Sequence, residues 1–511
     1  MDPFGLEEYS GKVETVTSIT NMIHLYFSDF FGVHHDAIVE YGAFDISLVN
    51  DLPLFVDPFL LFNSEKEEYR RLHREILKYV GFLRDKSGKK PSESQLRSWY
   101  MFPEVKEVWF GYSKVGNRGS GLGKSFASSL YSNLHTIFSN FGNEDVTSSG
   151  HIEKVCLVRD GVGRDNISDF TCNLIKDFLL KYTQDFAVEN IDESLRRKIK
   201  VPKCCFNYET ETWVSKEYDL PYFRKEFVLL TPVDILTKDD TWINKNDIVG
   251  DFDSIVDSIS NQEIRFQIGN YFSKALPKTK ENKTPTKKER SEAVSAVVQH
   301  FPSFLDYYIL HKEKNGDKAA NISKQKVDNT MQLFVTQLSF FAESLLKGTQ
   351  FYSRSGDTYE ETRERIEFLK QVIENNDGYR LFYVNGEPVK KEEDLQLLFR
   401  LTWRATPSDV NSEVNNGRGP VDYKVSRGST DKTLVEFKLA SNSQLKKNLL
   451  NQVKVYEKAN QTKKSFKVII YFTERELQKV ENILKGLKLE ENTDIILIDA
   501  RDDNKPSGSK A

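Results

Sequence analysis

Four cysteines in 511 residues (Cys156, Cys172, Cys204 and Cys205) are too few for a disulfide scaffold. Cys204 and Cys205 adjoin, and no C-x-x-C pairs with a second one, so a zinc ribbon is not expected. This usage fits a reducing compartment. Long apolar runs are missing too. The longest, Leu52 to Phe62, has 11 residues with two prolines and Asp57, against the ~20 residues a membrane span needs. The start, Met1-Asp2-Pro3-Phe4, lacks the basic-then-apolar order of a secretory signal. A soluble, cytoplasmic protein without membrane contact is expected. Nor is there a surplus of one charge: 72 Lys+Arg against 76 Asp+Glu give a net charge of −4. An argument for nucleic-acid binding must therefore be local. No repeat is visible between 20 and 50 residues, which sets solenoids and propellers aside. The eight histidines include the pair His34-His35 but no metal-ligand spacing, and no G-x-S-x-G elbow marks a serine hydrolase.

What is present supports folded cores. The chain is 39% apolar, with 35 Phe and 22 Tyr, which excludes global disorder. At roughly 100–200 residues per domain, two to four domains are expected. Helical spacing runs through Glu65 to Leu83. Val105 to Gly111 reads as a strand, then a glycine-rich loop, then a helix from about Lys124 to Phe138. Val155 to Val158, Gly161 and Gly163, and a helix over Ser168 to Phe186 repeat that order, and Phe227 to Ile235 reads as a buried strand. Ala275 to Glu292, with two prolines, five lysines and no aromatic residue, reads as a solvated linker. An amphipathic stripe follows over Ser323 to Leu346.

From Tyr359 the predicted order is a helix to Asn375, a strand at Tyr379 to Val384, a turn at Asn385 to Pro388 and a helix over Lys391 to Trp403. Strands Val421 to Ser426 and Thr433 to Leu439 flank a turn near Ser429. A helix over Ser443 to Lys458, a strand Phe466 to Phe472, a helix Glu474 to Leu487 and a strand Asp494 to Ile498 complete the region. The expected fold is α/β and multidomain. An α/β recognition or regulatory region occupies 1–274, a basic linker and helical connector 275–350, a mixed sheet flanked by helices 351–501, and a disordered tail 502–511.

Strand alternation places Leu434, Glu436 and Lys438 on one face, and Asp422, Lys424 and Ser426 on one face of the preceding strand. A turn centred near Ser429 puts Asp422 across from Glu436. Two carboxylates and an ammonium then converge at what reads as an exposed sheet edge, where a hard cation such as Mg²⁺ or Mn²⁺ relieves their repulsion. Lys438 could orient or deprotonate a water, or stabilise charge on a phosphate in flight. Gln452 and Tyr456 share a face of the next helix, beside the stripe of Leu445, Leu449 and Val453. From Gly417 to Ile470 there are 12 basic and 4 acidic residues. Such a local excess suits a polyanionic substrate, and Lys424, Lys446, Lys447 and Lys454 are its candidate phosphate contacts.

Pro420-Val421-Asp422, Glu436-Phe437-Lys438 and Gln452-Val453-Lys454-Val455-Tyr456 together resemble the PD-(D/E)xK nuclease superfamily, and the Q-x-x-x-Y resembles its RecB-like branch. The resemblance covers about Tyr359 to Ala500. It implies a restriction-endonuclease-like core and metal-dependent phosphodiester hydrolysis, with DNA favoured over RNA. Asp422, Glu436 and the Phe437 carbonyl would hold the metal, Lys438 would be the catalytic lysine, and Gln452 and Tyr456 would steady the site. A further upstream glutamate is common in the family, and Glu413, then Glu393, are the candidates. The departure is Val421, standing between Pro420 and Asp422. A large amino-terminal region before such a nuclease resembles bacterial antiphage-defence and restriction proteins in layout. It leaves a homo-oligomer or a partner subunit open.

Two other readings compete. One is a nuclease fold kept for docking nucleic acid or a partner. The other is an effector nuclease triggered by a nucleotide at Gly116 to Ser125, where Gly121, Gly123, Lys124 and Ser125 imitate a phosphate loop. Arg118 stands there in place of the first Walker glycine. A fragment from about Ser323 onward is expected to fold by itself and to carry the site.

Overall fold

The computed structural model describes residues 24–88, 90–111, 122–137, 144–158, 164–238, 240–277, 285–348, 351, 356–403, 408–412, 422–428, 431–450 and 464–505. Within them the chain is α/β, and its largest sheet has five strands. No described helix is long and apolar enough to cross a membrane.

Amphipathic spacing builds the first long helix, α1 (Glu67–Lys86), whose Tyr69, Leu72, Ile76, Val80 and Leu83 are buried. The strand–loop–helix repeats expected after it are not formed. Val105 to Gly111 holds a turn of 3-10 helix, Lys106–Val108, ended by Trp109 in the left-handed region at φ 56°. Val155 to Val158 lies in a helical turn, Lys154–Val158. An apolar run this short suits a buried helical turn as well as a strand. The helix expected over Ser168 to Phe186 is two, α2 (Arg164–Leu174) and α3 (Lys176–Asn190), broken at Ile175. In Phe227 to Ile235, Val228, Leu229 and Leu230 are buried. Only Glu226–Phe227 is a strand, Pro232 makes a single antiparallel bridge with Ala43, and Val233–Ile235 is a 3-10 turn. A hairpin that the spacing does not reveal joins β1 (Arg196–Asn207) to β2 (Thr212–Phe223). Lys198 faces Asp219 and Lys200 faces Glu217 across it. Charged pairs of this kind blur the apolar–polar alternation by which strands are recognised.

The lysine-rich segment Ala275 to Glu292 is helical over its last six residues. Lys287–His300 begins there, at a capping box between Thr286 and Glu289. The stripe over Ser323 to Leu346 forms one helical run: α4 (Gly316–Met331), a π-helical stretch Gln332–Gln337 and α5 (Leu338–Gly348). Val327, Phe334, Leu338, Phe341 and Leu345 are its buried side.

Asp357 caps α6 (Thr358–Asn375) by accepting the N–H groups of Tyr359 and Glu360. Of the strand expected at Tyr379 to Val384 only Tyr383–Val384 is extended, and Gly378–Phe382 is a 3-10 turn. Close packing fixes this turn, because a Cβ on Gly378 would lie 2.7 Å from the Val372 carbonyl oxygen. Next come α7 (Glu392–Thr402), β3 (Asp409–Ser412), β4 (Tyr423–Arg427), β5 (Asp431–Leu439), β6 (Ser465–Tyr471), α8 (Glu474–Leu487) and β7 (Ile495–Asp499). The sheet order is β7-β6-β5-β4-β3, mixed: β3, β4 and β5 pair antiparallel, and β5, β6 and β7 parallel. The hairpin register runs from Arg427 opposite Asp431 to Tyr423 opposite Val435, as the turn spacing requires. β5 is the central strand, not a sheet edge, because β6 returns parallel to its other side.

Tyr423, Val425, Val435, Phe437, Val468 and Ile470 lie on the sheet face that meets α6 and α7. They belong to one apolar cluster that extends to Tyr26, Tyr79 and Leu230. On the opposite face Ala440, Ile469 and Tyr471 pack with Leu445, Leu449, Val480 and Leu484. The expected tail is described as far as Lys505, whose ammonium lies 3.7 Å from Asp499.

Candidate active site

Alternation along β5 sends Val435, Phe437 and Leu439 into the main core and leaves Glu436 and Lys438 on the other face. Asp422 sits one residue before β4. Its Oδ2 accepts the Phe437 N–H at 2.7 Å and lies 3.5 Å from the Lys438 ammonium. The N–H and C=O of one strand residue point to the same side, so the Phe437 carbonyl is turned towards Asp422 as well. The expected triplet is thus brought together, but in a buried place. Asp422 is 8%, Glu436 6% and Lys438 7% exposed.

Two residues that the sequence reading missed complete the cluster. Lys467 stands opposite Glu436 in the parallel β5–β6 register, and its ammonium donates to Glu436 Oε2 at 3.0 Å. Glu392, the first residue of α7, accepts from the Lys438 ammonium at 3.3 Å and from Asn442 Nδ2 at 2.6 Å. Glu393, its neighbour and an expected candidate, is exposed. A signal for Glu392 was there: Leu395 and Phe399 are buried on α7, and Glu392 precedes them by three and seven residues, on the same helical face.

Burial pushes the Asp422 carboxyl up to about 6, against the pull of Lys438 and the Phe437 N–H, with Glu436 and Glu392 adding to the rise. Burial alone would lower the Lys438 ammonium, but Asp422, Glu392 and Glu436 outweigh it and hold its pKa above the ordinary value. In this arrangement Lys438 carries its positive charge among acidic neighbours. Three carboxylates face two ammoniums, each carboxylate touching at least one. Among the described residues no three His, Cys, Asp or Glu side chains are gathered into a metal cage. The oxygen donors of Asp422, Glu436, Glu392 and the Phe437 carbonyl are of the kind a hard cation such as Mg²⁺ takes, and the carboxylates would have to close on it from their present ammonium partners.

Of the other expected residues, Lys424 is half-buried, and Lys446 and Lys447 are exposed on the helical residues 445–450. Glu413, Gln452, Lys454 and Tyr456 lie outside the described residues, as does Gly121 of the glycine-rich loop. Gly123 is half-buried, and Ser125 belongs to the helix Lys124–Ile137, its side chain outside the description. Lys124 is exposed, 3.7 Å from Glu93. The amino-terminal half has a cleft of about 830 Å³ elsewhere, between α1, α3 and the β1–β2 hairpin, with Tyr79, Tyr182, Phe206 and Trp213 in its wall.

Two family models match the chain. A domain of unknown function, DUF8370, matches residues 32–244, and another, DUF8371, matches residues 358–474. Neither spans half of the chain. Glu392, Asp422, Glu436, Lys438 and Lys467 all fall inside the second match, and the residues of the cleft fall inside the first. Comparisons with curated proteins and with solved structures return no match.

Proposed function

We propose that the protein is a Mg²⁺- or Mn²⁺-dependent nuclease whose carboxy-terminal sheet is a restriction-endonuclease-like core of the PD-(D/E)xK kind. The observation that carries this reading is that Asp422, just before β4, joins Glu436 and Lys438 of β5, with Asp422 Oδ2 3.5 Å from the Lys438 ammonium. Asp422, Glu436 and Glu392 would hold the metal together with the Phe437 carbonyl. When bound, the metal would activate a water and polarise the phosphoryl oxygen. Lys438, kept protonated by its acidic neighbours, stabilises the negative charge that builds on the phosphate as the bond breaks. Lys446 and Lys447, exposed on the helical residues 445–450 that follow β5, would supply phosphate contacts that carry no sequence information. DNA is the favoured substrate, and the amino-terminal half, with its aromatic-walled cleft, serves recognition or regulation. The layout, a large amino-terminal region before the proposed nuclease core, is the support for a defence or restriction role.

The test is incubation of the purified protein with plasmid, linear DNA and RNA in Mg²⁺, Mn²⁺ or chelator. Cleavage that depends on the divalent cation and is lost in Asp422→Asn supports the reading, and metal-independent or absent cleavage removes it. One observation favours a second reading, a docking module without catalysis: Lys438 and Lys467 already neutralise most of the carboxylate charge. In that case nucleic acid binds equally well with and without divalent cation.

A further inference from the structure

Lys467 is not part of the motif that drew attention to this site, and fold stability does not explain its place. Its neighbours on the same face of β6, Ile469 and Tyr471, pack in an apolar cluster. A buried ion pair generally stabilises a fold no better than apolar residues of similar volume. Lys467 is 6% exposed and is held in position by its backbone N–H, which donates to Asp494 O at 2.8 Å. Its ammonium meets Glu436 Oε2 at 3.0 Å. Lys438 meanwhile serves Asp422 and Glu392. The ammoniums therefore divide the carboxylates between them, and Glu436 is the share of Lys467.

We propose that Lys467 is a built-in counter-cation for Glu436, which a divalent cation must displace, so that metal binding and release of the Lys467–Glu436 ion pair are one event. The inference rests on the metal-dependent reading above. Without metal, the pair keeps a buried carboxylate compensated and the sheet intact. With metal, Glu436 Oε2 turns to the cation, and the ammonium is repelled by a charge twice its own. Lys467 thereby weakens the metal site and sets the cation concentration at which it fills.

The experiment uses the full chain without nucleic acid and titrates MnCl₂ and MgCl₂ by calorimetry and by thermal unfolding. Lys467→Met keeps an unbranched side chain one atom shorter and removes its charge, and Lys467→Arg keeps the charge. Lys467→Met is expected to bind Mn²⁺ about tenfold tighter than the unaltered protein, a gain of about 1.4 kcal/mol, because the cation no longer has to break the ion pair with Glu436. Its unfolding midpoint should fall without metal and gain more from metal. Lys467→Arg should stay within a few-fold of the unaltered protein. If Lys467→Met folds only when Mn²⁺ is present, the proposal is supported in its strongest form. A second measurement needs no variant: Lys467 of the unaltered protein should resist reductive methylation without metal and become labelled in saturating Mg²⁺. Equal metal affinity in Lys467→Met and the unaltered protein, or labelling that ignores Mg²⁺, overturns the role of Lys467 alone. Failure of both proteins to bind either cation overturns the metal-dependent reading and this inference with it.

Discussion

The Asp422 carboxylate accepts the Phe437 N–H at 2.7 Å and so extends the β4–β5 ladder by one bond past its last residue pair, Tyr423 with Val435. One side chain thus has a structural and a proposed chemical duty, and two substitutions separate them. Asp422→Asn keeps an acceptor for the Phe437 N–H and should fold with a midpoint near that of the unaltered protein, yet lose cleavage. Asp422→Ala leaves that N–H and the buried Lys438 without their partner and should cost about 1–3 kcal/mol in denaturant unfolding. An exposed pair of carboxylates would have behaved in the opposite way, with Ala neutral or stabilising. Full cleavage by Asp422→Asn would remove Asp422 from the chemistry.

Glu392 and Glu393 are adjacent on α7 but differ in surroundings, since only Glu392 reaches Lys438. Glu392→Gln should lower metal affinity or turnover by about 10–100-fold, the usual effect of losing a group bound to the metal or to its ligands. Glu393→Gln should leave both unchanged. The check is a parallel measurement of Mn²⁺ affinity and cleavage rate in the two variants. Equal effects would show that α7 contributes only general negative charge.

These residues divide the site into what local sequence determines and what only the tertiary fold supplies. Asp422 opposite Glu436 follows from strand alternation and one turn, both local, and the hairpin register agrees. Lys467 comes from a strand that returns in parallel after a crossover, and no local spacing gives the register of such a pair. Glu392 needed the tertiary placement of α7 against the end of β5, although its helical face was predictable. The same division holds for the fold. Long periodic helices such as α1 and α6 were legible. Short apolar runs such as Val155 to Val158, and a hairpin with charged pairs on both strands, were not.

Glu153 supplies a prediction about pH. It is 1% exposed, and neither of its carboxylate oxygens has a hydrogen-bond partner among the described residues. Burial first, and then the neighbouring Asp57, push its carboxyl up to about 8. The His151 Nδ1 lies 3.9 Å away. A carboxyl with a raised folded-state pKa holds a proton that the unfolded chain has already released. Stability from this group is therefore full below about pH 4, where both states are protonated, and declines as pH rises towards 8. Glu153→Gln should flatten that part of the curve of unfolding midpoint against pH and raise the midpoint at pH 8. An unchanged slope would place the titration elsewhere.

Lys446 and Lys447 test the interface. Both are exposed on the helical residues 445–450, so changing them to Gln should leave the fold and the cluster intact. A cleavage-dead Asp422→Asn protein should bind duplex DNA with a salt slope of about −0.9 per phosphate contact. The added double change should make that slope shallower by about one or two units. A slope that does not move would direct the search for the binding surface away from this helix.

The last prediction concerns a fragment from Ser323 to Ala511, which the sequence order alone presents as self-sufficient. The packing argues that it is not. α4 lies against the segment Val233–Ile235 and the strand Leu236–Lys238 that follows it. Ser323 Oγ meets Thr237 Oγ1 at 3.2 Å, and the Tyr26 hydroxyl donates to the Phe334 carbonyl. Lys238 reaches Asp394 on α7 at 3.1 Å, with both side chains largely covered. Val327, Phe334 and Leu338 lie in the cluster that also holds Tyr26 and Leu236. A buried side chain of this size is worth about 1.5–3 kcal/mol, while a whole domain keeps only about 5–15 kcal/mol. Uncovering even part of three such residues therefore removes a large share of what holds the fragment together. The fragment should be poorly soluble or should unfold without a sharp transition, and adding residues 24–322 as a separate chain should restore a cooperative one. The measurement is thermal unfolding of the fragment alone and mixed with its complement. A sharp transition in the isolated fragment, at the temperature of the intact protein, would show that the carboxy-terminal sheet and α6 suffice for the fold.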